Sequence, residues 1–104
     1  MTRPPPKKPA PAAVVPTYTL RGERITSLEA FYDEAQEVLC GGWKGFGRNL
    51  DALVDVLRGG FGGHEYGAAI RVVWANFHQS AAFPRKRDVI AVFEEAENVE
   101  FVRG

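Results

Sequence analysis

Three features that would point to particular classes of protein are scarce or missing in this sequence. Cys40 is the only cysteine, so no internal disulfide can form and we expect a cytoplasmic protein. The 13 basic and 13 acidic residues give a formal net charge of zero, which argues against a general binder of nucleic acids or membrane surfaces. No apolar run approaches the ~20 residues that span a bilayer. The sequence therefore predicts a soluble protein with neither a nucleic acid nor a membrane as its direct partner.

The chain divides into a short tail and one domain. Six of the seven prolines lie in residues 1–16, together with Arg3, Lys7 and Lys8. This composition favours extended chain, so we expect a disordered basic tail there, or alternatively a Pro-rich docking ligand. Residues 17–104 have room for one hydrophobic core and no second. Without the tail the domain carries 10 basic and 13 acidic side chains, a formal charge of −3.

Short apolar segments at the start, middle and end of the domain predict three β-strands. Tyr18–Leu20 and Val99–Val102 are short and contain aromatic or β-branched residues. Ala69–Trp74 is apolar apart from Arg71, which predicts a central strand that is buried on both faces.

Capping residues and apolar spacing predict about four helices between these strands. Thr26 with Glu29 matches a capping box for the first helix, and Asn49 is a suitable N-cap for the second. We expect a short irregular helix over Asn76–Phe83, and Asp88 can cap the fourth helix. The residues expected to face the core from the second and fourth helices are Leu50, Leu53, Val54, Leu57, Val89, Val92, Phe93 and Ala96. The order βααβααβ predicts an α/β fold, with about four helices packed on a small three-stranded parallel sheet.

Groups that could support catalysis are few. Residues 59–63 are rich in glycine, but no Lys-Ser/Thr follows them and they precede a strand, so they are interpreted as a connector. His64 and His78 could form an acid–base pair for RNA cleavage, and a small enzyme is kept as one hypothesis. Neither has ligand-like spacing with Cys40 or a carboxylate. The sequence predicts no catalytic residue, no metal site, no cofactor and no enzyme.

Asp51 and Asp55 are the most informative polar residues. They are four residues apart on the second helix and therefore adjacent on its surface, beside the apolar stripe. Two like charges at this spacing destabilise a helix modestly, and Asp51 is compensated in part by the helix dipole. One interpretation is an ordinary solvated helix face. The other is an anionic surface that enters a cationic pocket such as a phosphate-binding site, somewhat weakened by Arg58.

The segment around these carboxylates resembles a known family. Residues 45–55, with the sequence GFGRNLDALVD, are similar to the motif of the barstar family, small intracellular inhibitors of secreted ribonucleases. Further similarities follow in the family's order at residues 22–25, 73–80 and 92–96, so the resemblance covers roughly residues 17–102. In the family, the loop and helix that correspond to residues 45–59 plug the active site of the nuclease.

The resemblance implies a role for individual residues. Asp55 would offer its carboxylate to the cations that normally hold the RNA phosphate, and Asp51 would be a second contact. The partner-binding residues implied in this way are Gly45, Phe46, Gly47, Asn49, Asp51, Asp55, Gly59 and Glu95. Gly45 stands where the family's namesake has an aromatic residue that stacks on the catalytic histidine of the enzyme, and Arg48 replaces an acidic residue. Val54 and Gly60 replace tryptophans near the contact region.

The function implied by the resemblance is inhibition of a barnase-like extracellular ribonuclease by substrate mimicry. The protein would be a bacterial immunity protein, a monomer when free, that protects the producing cell. An alternative is a protein–protein interaction module, such as a transcription-associated adaptor, that uses the same scaffold to bind a partner other than a nuclease.

Overall fold

A computed structural model describes residues 15–59 and 64–104 of the chain. The expectations for the tail up to residue 14 and for Gly60 lie outside these described residues. Within them the strands are β1 (Thr17–Arg21), β2 (Ile70–Ala75) and β3 (Val99–Arg103). The α-helices are α1 (Leu28–Leu39), α2 (Leu50–Arg58) and α3 (Lys86–Glu95), and 3₁₀ turns lie at Gly22–Arg24 and Phe77–Gln79.

The three strands form one sheet in the order β1-β2-β3, and both pairs are parallel. This arrangement confirms the predicted α/β fold with a small parallel sheet. The described residues contain three α-helices rather than about four, because the segment expected to form a short helix over Asn76–Phe83 forms only the 3₁₀ turn at Phe77–Gln79.

β2 is the central strand, as predicted, but only one of its faces is buried. Ile70, Val72 and Trp74 are buried, whereas Arg71 and Val73 on the other face are only partly covered. Side chains alternate along a strand, and the helices cover one face of this sheet only. The prediction of burial on both faces was therefore wrong, and the domain has two layers.

The core is built around aromatic rings on the covered face of the sheet. The Trp74 ring stacks on Phe31 of α1 with centroids 5.6 Å apart. Phe93 of α3 stacks on Phe101 of β3 at 5.0 Å. Phe31 also meets Phe93 edge to face at 6.1 Å, so the rings join both helices to the sheet.

Two of the three predicted helix caps need correction. Asn49 caps α2 as predicted, since its Oδ1 accepts a hydrogen bond from the Ala52 amide at 2.8 Å. The cap of α1 is Ser27 rather than Thr26, because the Ser27 hydroxyl is the group that accepts from the helix, at the Ala30 amide. α3 begins at Lys86, before Asp88, and the Asp88 carboxylate pairs with Arg85 instead of capping the helix.

No helix among residues 15–59 and 64–104 is long and apolar enough to cross a membrane. The same part of the chain holds no group of three or more His, Cys, Asp or Glu side chains arranged to bind a metal ion.

Candidate partner-binding surface

The orientation of α2 decides which of its side chains a partner can reach. Leu53, Val56 and Leu57 are buried in the core. Leu50 and Val54, which were also expected to belong to the buried stripe, are partly buried, and Leu50 packs against the core. The buried side of the helix is thus rotated toward Val56, and the opposite side faces solvent.

The solvent side of α2 presents two carboxylates. Asp51 and Asp55 are both exposed, and the carboxylate of neither forms a hydrogen bond or ion pair with any residue that the structure describes. Arg58 is also exposed, three residues after Asp55, but the two side chains form no ion pair. Asp51, in the first turn, is favoured by the partial positive charge at the start of the helix. The two carboxylates, called the acidic face below, are therefore available to cations from outside the molecule.

Gln36 of α1 contacts both ends of the loop before α2, residues 41–49. The Gln36 amide nitrogen donates to the Trp43 carbonyl at 3.0 Å, and its Oε1 accepts from Arg48 Nη1 at 3.0 Å. The Gln36 backbone carbonyl accepts from the Gly42 amide at 2.9 Å. A single residue of α1 therefore holds both ends of the loop.

Arg48 faces α1 rather than the acidic face. Its Nη2 lies 2.8 Å from the carboxylate of Asp33 and 3.4 Å from the carbonyl of Glu29. Its backbone adopts a left-handed conformation with φ of 57°, which turns the chain into the cap of α2. Because Asp33 offsets part of this charge, Arg48 repels a cationic partner less than an unpaired arginine would.

The loop contacts expected from the sequence differ in accessibility. Gly45, Gly47 and Asn49 are exposed. The Asn49 side chain is already engaged twice, because it caps α2 and its Nδ2 donates to the Gly47 carbonyl at 3.1 Å. At Gly45 a partner would meet the Trp43 indole as well as the backbone, because an ideal Cβ on Gly45 would lie 2.2 Å from Cζ2 of that ring.

Phe46 and Gly59, also expected as partner contacts, are both buried. The Phe46 ring is 4% exposed and packs edge to face against Tyr32 at 6.0 Å. Gly59 has a φ of 95°, and a Cβ there would lie 2.4 Å from the Glu65 carbonyl oxygen. The structure thus gives both residues a role in the fold, while their contact with a partner stays a prediction.

Glu95, the remaining expected contact, lies at the end of α3 and is exposed. It borders an open groove of about 740 Å³ between α2 and α3, whose lining also includes Val54, Arg58 and Tyr66. α2 and α3 pack on each other, so the same part of the fold carries Glu95 and the acidic face. No described contact joins Glu95 to Asp51 or Asp55, and their use by one partner stays a prediction.

The two histidines lie at opposite ends of β2. His64 precedes the strand and its Nε2 lies 2.9 Å from the Leu57 carbonyl, so it fastens the end of α2. His78 is exposed on the 3₁₀ turn that follows the strand. No contact between the two rings is among those of the described residues, and the acid–base pair considered from the sequence stays a hypothesis.

Sequence analysis missed two exposed aromatic residues. Trp43 in the loop is 43% exposed and Tyr66 beside the groove is 76% exposed, and these are the exposed large hydrophobic residues among those described. The available signal was a Trp directly after Gly41-Gly42, where no apolar periodicity assigns it to the core.

Comparison with known proteins agrees with this architecture. A family model described as Barstar (barnase inhibitor) matches residues 15–101, which is most of the chain. A comparison with curated proteins finds no match.

Proposed function

Because the chain belongs to the barstar family, we propose that it inhibits a barnase-like ribonuclease with the surface formed by loop 41–49 and the acidic face. The observation that carries this proposal is the state of Asp51 and Asp55. Both carboxylates are exposed, and neither is paired with another described residue. They lie on a helix whose other side is buried in the core. Such carboxylates can enter a site that binds RNA phosphate. There they would give up their hydrating water and bind the cationic groups of the enzyme instead.

The inhibitory mechanism is substrate mimicry. A ribonuclease holds the RNA phosphate with cationic groups, and a carboxylate at the same place satisfies those groups and excludes the substrate. The contacts of Gln36 and Arg48 keep loop 41–49 ordered before binding, so less conformational entropy is lost when the complex forms. Carboxylates on the inhibitor and cations on the enzyme also accelerate association at low salt.

This mechanism needs no cofactor and no direct contact with RNA, since carboxylates repel phosphate. In this proposal the free protein is a monomer in the cytoplasm of a bacterium. It acts there as an immunity protein that protects the cell from its own ribonuclease.

The experiment measures RNA cleavage by barnase with and without the full chain, together with association and dissociation rates. We expect stoichiometric inhibition and an association rate that falls as salt is added. Asp51→Asn and Asp55→Asn should each weaken the complex by about 30-fold or more, because each leaves a desolvated cation of the enzyme without its partner.

A matched control is Glu100→Gln, which removes a carboxylate from the open face of the sheet, where Glu100 pairs with Arg71. This variant should inhibit as well as the unsubstituted chain. Equal inhibition by the Asp51→Asn/Asp55→Asn double variant would refute substrate mimicry. If the unsubstituted chain does not bind the ribonuclease, the alternative of an interaction module with another kind of partner is favoured.

A further inference from the structure

An open pocket of about 420 Å³ lies beside the acidic face, where the starts of three α-helices meet. Its lining includes Leu28, the first residue of α1, together with the N-cap residues of α2 and α3, Asn49 and Arg85. Asp51 of the acidic face forms part of the same wall. Because the start of a helix carries a partial positive charge, three such ends favour an anionic group in this pocket, called the Arg85 pocket below.

Tyr32 brings an unused hydrogen-bonding group to the Arg85 pocket. The residue is 7% exposed, and its ring packs edge to face on Phe31 at 5.4 Å and on Phe46 at 6.0 Å, so the side chain is held in place. Its hydroxyl forms no hydrogen bond with any residue that the structure describes. No atom of Tyr32 is both fully buried and unpaired, so the hydroxyl reaches the pocket rather than the closed core. A polar group on a nearly buried side chain is normally paired, which makes this hydroxyl a contact for a ligand.

Arg85 places a positive charge near this hydroxyl. Burial raises the pKa of Tyr32, and the nearby charge of Arg85 opposes that rise. The hydroxyl therefore keeps its proton at neutral pH and can donate it. Arg85 Nε pairs with the Asp88 carboxylate at 2.5 Å, but both side chains are more than half exposed, and the Nη atoms of Arg85 form no hydrogen bond with a described residue. Exposed pairs of this kind contribute little, so the guanidinium is available to another carboxylate.

The backbone around the pocket has an uncommon conformation. Three described residues other than glycine have a positive φ, and two of them, Arg48 at 57° and Arg85 at 71°, line the Arg85 pocket. The left-handed region is unfavourable for such side chains, and residues held in it concentrate where a ligand or partner binds. Arg48 is already engaged by Asp33 and Gln36, so it adds positive charge to the wall, whereas Arg85 keeps free donors.

From this arrangement we infer that the Arg85 pocket receives a carboxylate of the enzyme, which accepts hydrogen bonds from Arg85 and from the Tyr32 hydroxyl. The inference rests on the proposed function and specifies its partner, an enzyme with an acidic side chain next to the cations that bind Asp51. The chain presents a cation and a carboxylate side by side here, and the complementary surface presents the same pair in reverse. Because Asp51 repels a lone anion, the carboxylate enters together with the cation that neutralises Asp51.

The test measures the affinity of Arg85→Gln and Tyr32→Phe, each in the full chain, for barnase and for barnase variants in which every Asp and Glu is replaced in turn by Asn or Gln. Arg85→Gln should weaken binding to unsubstituted barnase about tenfold and Tyr32→Phe about threefold, since a carboxylate binds a charged donor more strongly than a neutral one. The same carboxylate of barnase should account for both losses, so that its removal makes both substitutions nearly neutral.

Arg87→Gln is the matched control. Arg87 is exposed on the same helix and its substitution removes the same charge, but the residue does not line the Arg85 pocket. It should change the affinity by no more than about twofold. Thermal unfolding of the free Tyr32→Phe chain is a second control, because its midpoint should not fall when a hydroxyl without a partner in the described fold is removed. The loss of affinity then belongs to the complex.

Several results would overturn the carboxylate contact. Unchanged or tighter binding by Arg85→Gln would mean that the enzyme presents no carboxylate to the pocket. A loss that no single carboxylate of barnase accounts for would mean that Arg85 acts through its general charge. If Asp51→Asn and Asp55→Asn weaken binding but neither pocket variant does, the contact is wrong and the proposed function stands. If the unsubstituted chain binds no barnase, the proposed function fails and the contact fails with it.

Discussion

Arg21 of β1 holds both carboxylate oxygens of Glu34 of α1, with Nε 2.7 Å from Oε2 and Nη2 3.0 Å from Oε1. The Arg21 backbone amide donates to the same Oε2 at 2.8 Å. The Glu34 side chain is 3% exposed, so these three bonds replace the water that the carboxylate loses on folding. Hydrogen bonds to Glu34, and then to Glu37, raise the pKa of Arg21 above its ordinary value. This contact fixes α1, and with it Gln36, against the sheet.

We expect Glu34→Gln to lower the thermal unfolding midpoint by roughly 5 °C. The amide cannot accept at both of its ends, so one Arg21 donor loses its partner in a partly buried position. The matched control is Glu37→Gln, because Glu37 binds the same guanidinium but is exposed. Its effect should be small, as for other exposed ion pairs. Circular dichroism during thermal unfolding measures the midpoints. Equal midpoints for Glu34→Gln and the unsubstituted chain would show that the Arg21–Glu34 pair does not stabilise the fold.

Among the glycines compared here, Gly59 is the one at which substitution by alanine should lower the free energy of unfolding most. Its φ of 95° is strained for any L side chain, and a Cβ would also lie 2.7 Å from the His64 ring. Gly59→Ala should therefore lower the free energy of unfolding by about 2–3 kcal/mol. Gly41→Ala is the control, since Gly41 has a φ of 59° but open space around its Cβ, and about 1 kcal/mol is expected. Urea titrations of both variants measure the difference, and an equal loss would mean that the clash contributes nothing.

Local sequence signals were sufficient to predict much of the fold. They were ambiguous where two neighbouring residues carry the same kind of side-chain group. The strand order and the Asn49 cap follow from spacing and from one polar residue before an apolar run. Thr26 and Ser27 both offer a hydroxyl at a helix start, and the capping-box pattern selected the wrong one. Arg71 was the sequence signal that one face of β2 is open, since an arginine is rarely placed in a core.

The candidate site was less predictable because the conformation of loop 41–49 depends on contacts with residues elsewhere in the chain. Gln36 is an unremarkable helix residue in the sequence, yet it binds Trp43 and Arg48 from 7 and 12 residues away. The burial of Phe46 depends on Tyr32 of α1, and no pattern within loop 41–49 indicates it. Asp51 and Asp55 were found because their spacing on one helix is a local property.

Cys40 should react slowly in the folded protein. The thiol is partly buried at the end of α1, and burial raises its pKa above the ordinary value of 9.0. At pH 8 the thiolate is therefore scarcer in the folded chain than in the unfolded chain, and a disulfide reagent should react several-fold faster in urea than in buffer. Equal rates under both conditions would contradict the burial of this thiol.

The same shift has a consequence for stability. A folded pKa above the unfolded pKa means that the folded state binds the proton more tightly. The contribution of the Cys40 thiol to the free energy of unfolding is thus fully present below the unfolded pKa. It is lost as the pH rises through the pKa of the folded state. Cys40→Ala should lose less stability between pH 8 and pH 10 than the unsubstituted chain, which urea titrations at several pH values would measure.

Ser80 joins the end of β2 to the turn after β1 and should be costly to remove. The Trp74 indole donates to the Ser80 hydroxyl at 2.7 Å, and that hydroxyl donates to the Gly22 carbonyl at 2.8 Å. Both bonds are buried, so Ser80→Ala leaves an indole N–H and a carbonyl without partners. A loss of about 2–3 kcal/mol in the free energy of unfolding is expected. Urea denaturation followed by Trp74 fluorescence, in a Trp43→Phe background, measures it.

Ser27→Ala is the control for this prediction, because it also removes a serine hydroxyl but at a partly exposed helix cap, where about 1 kcal/mol is expected. If Ser80→Ala costs no more than Ser27→Ala, water replaces the lost hydroxyl and the chain of two bonds does not stabilise the fold. A larger loss with an unchanged denaturant slope would locate the effect in the native state rather than in the unfolded chain.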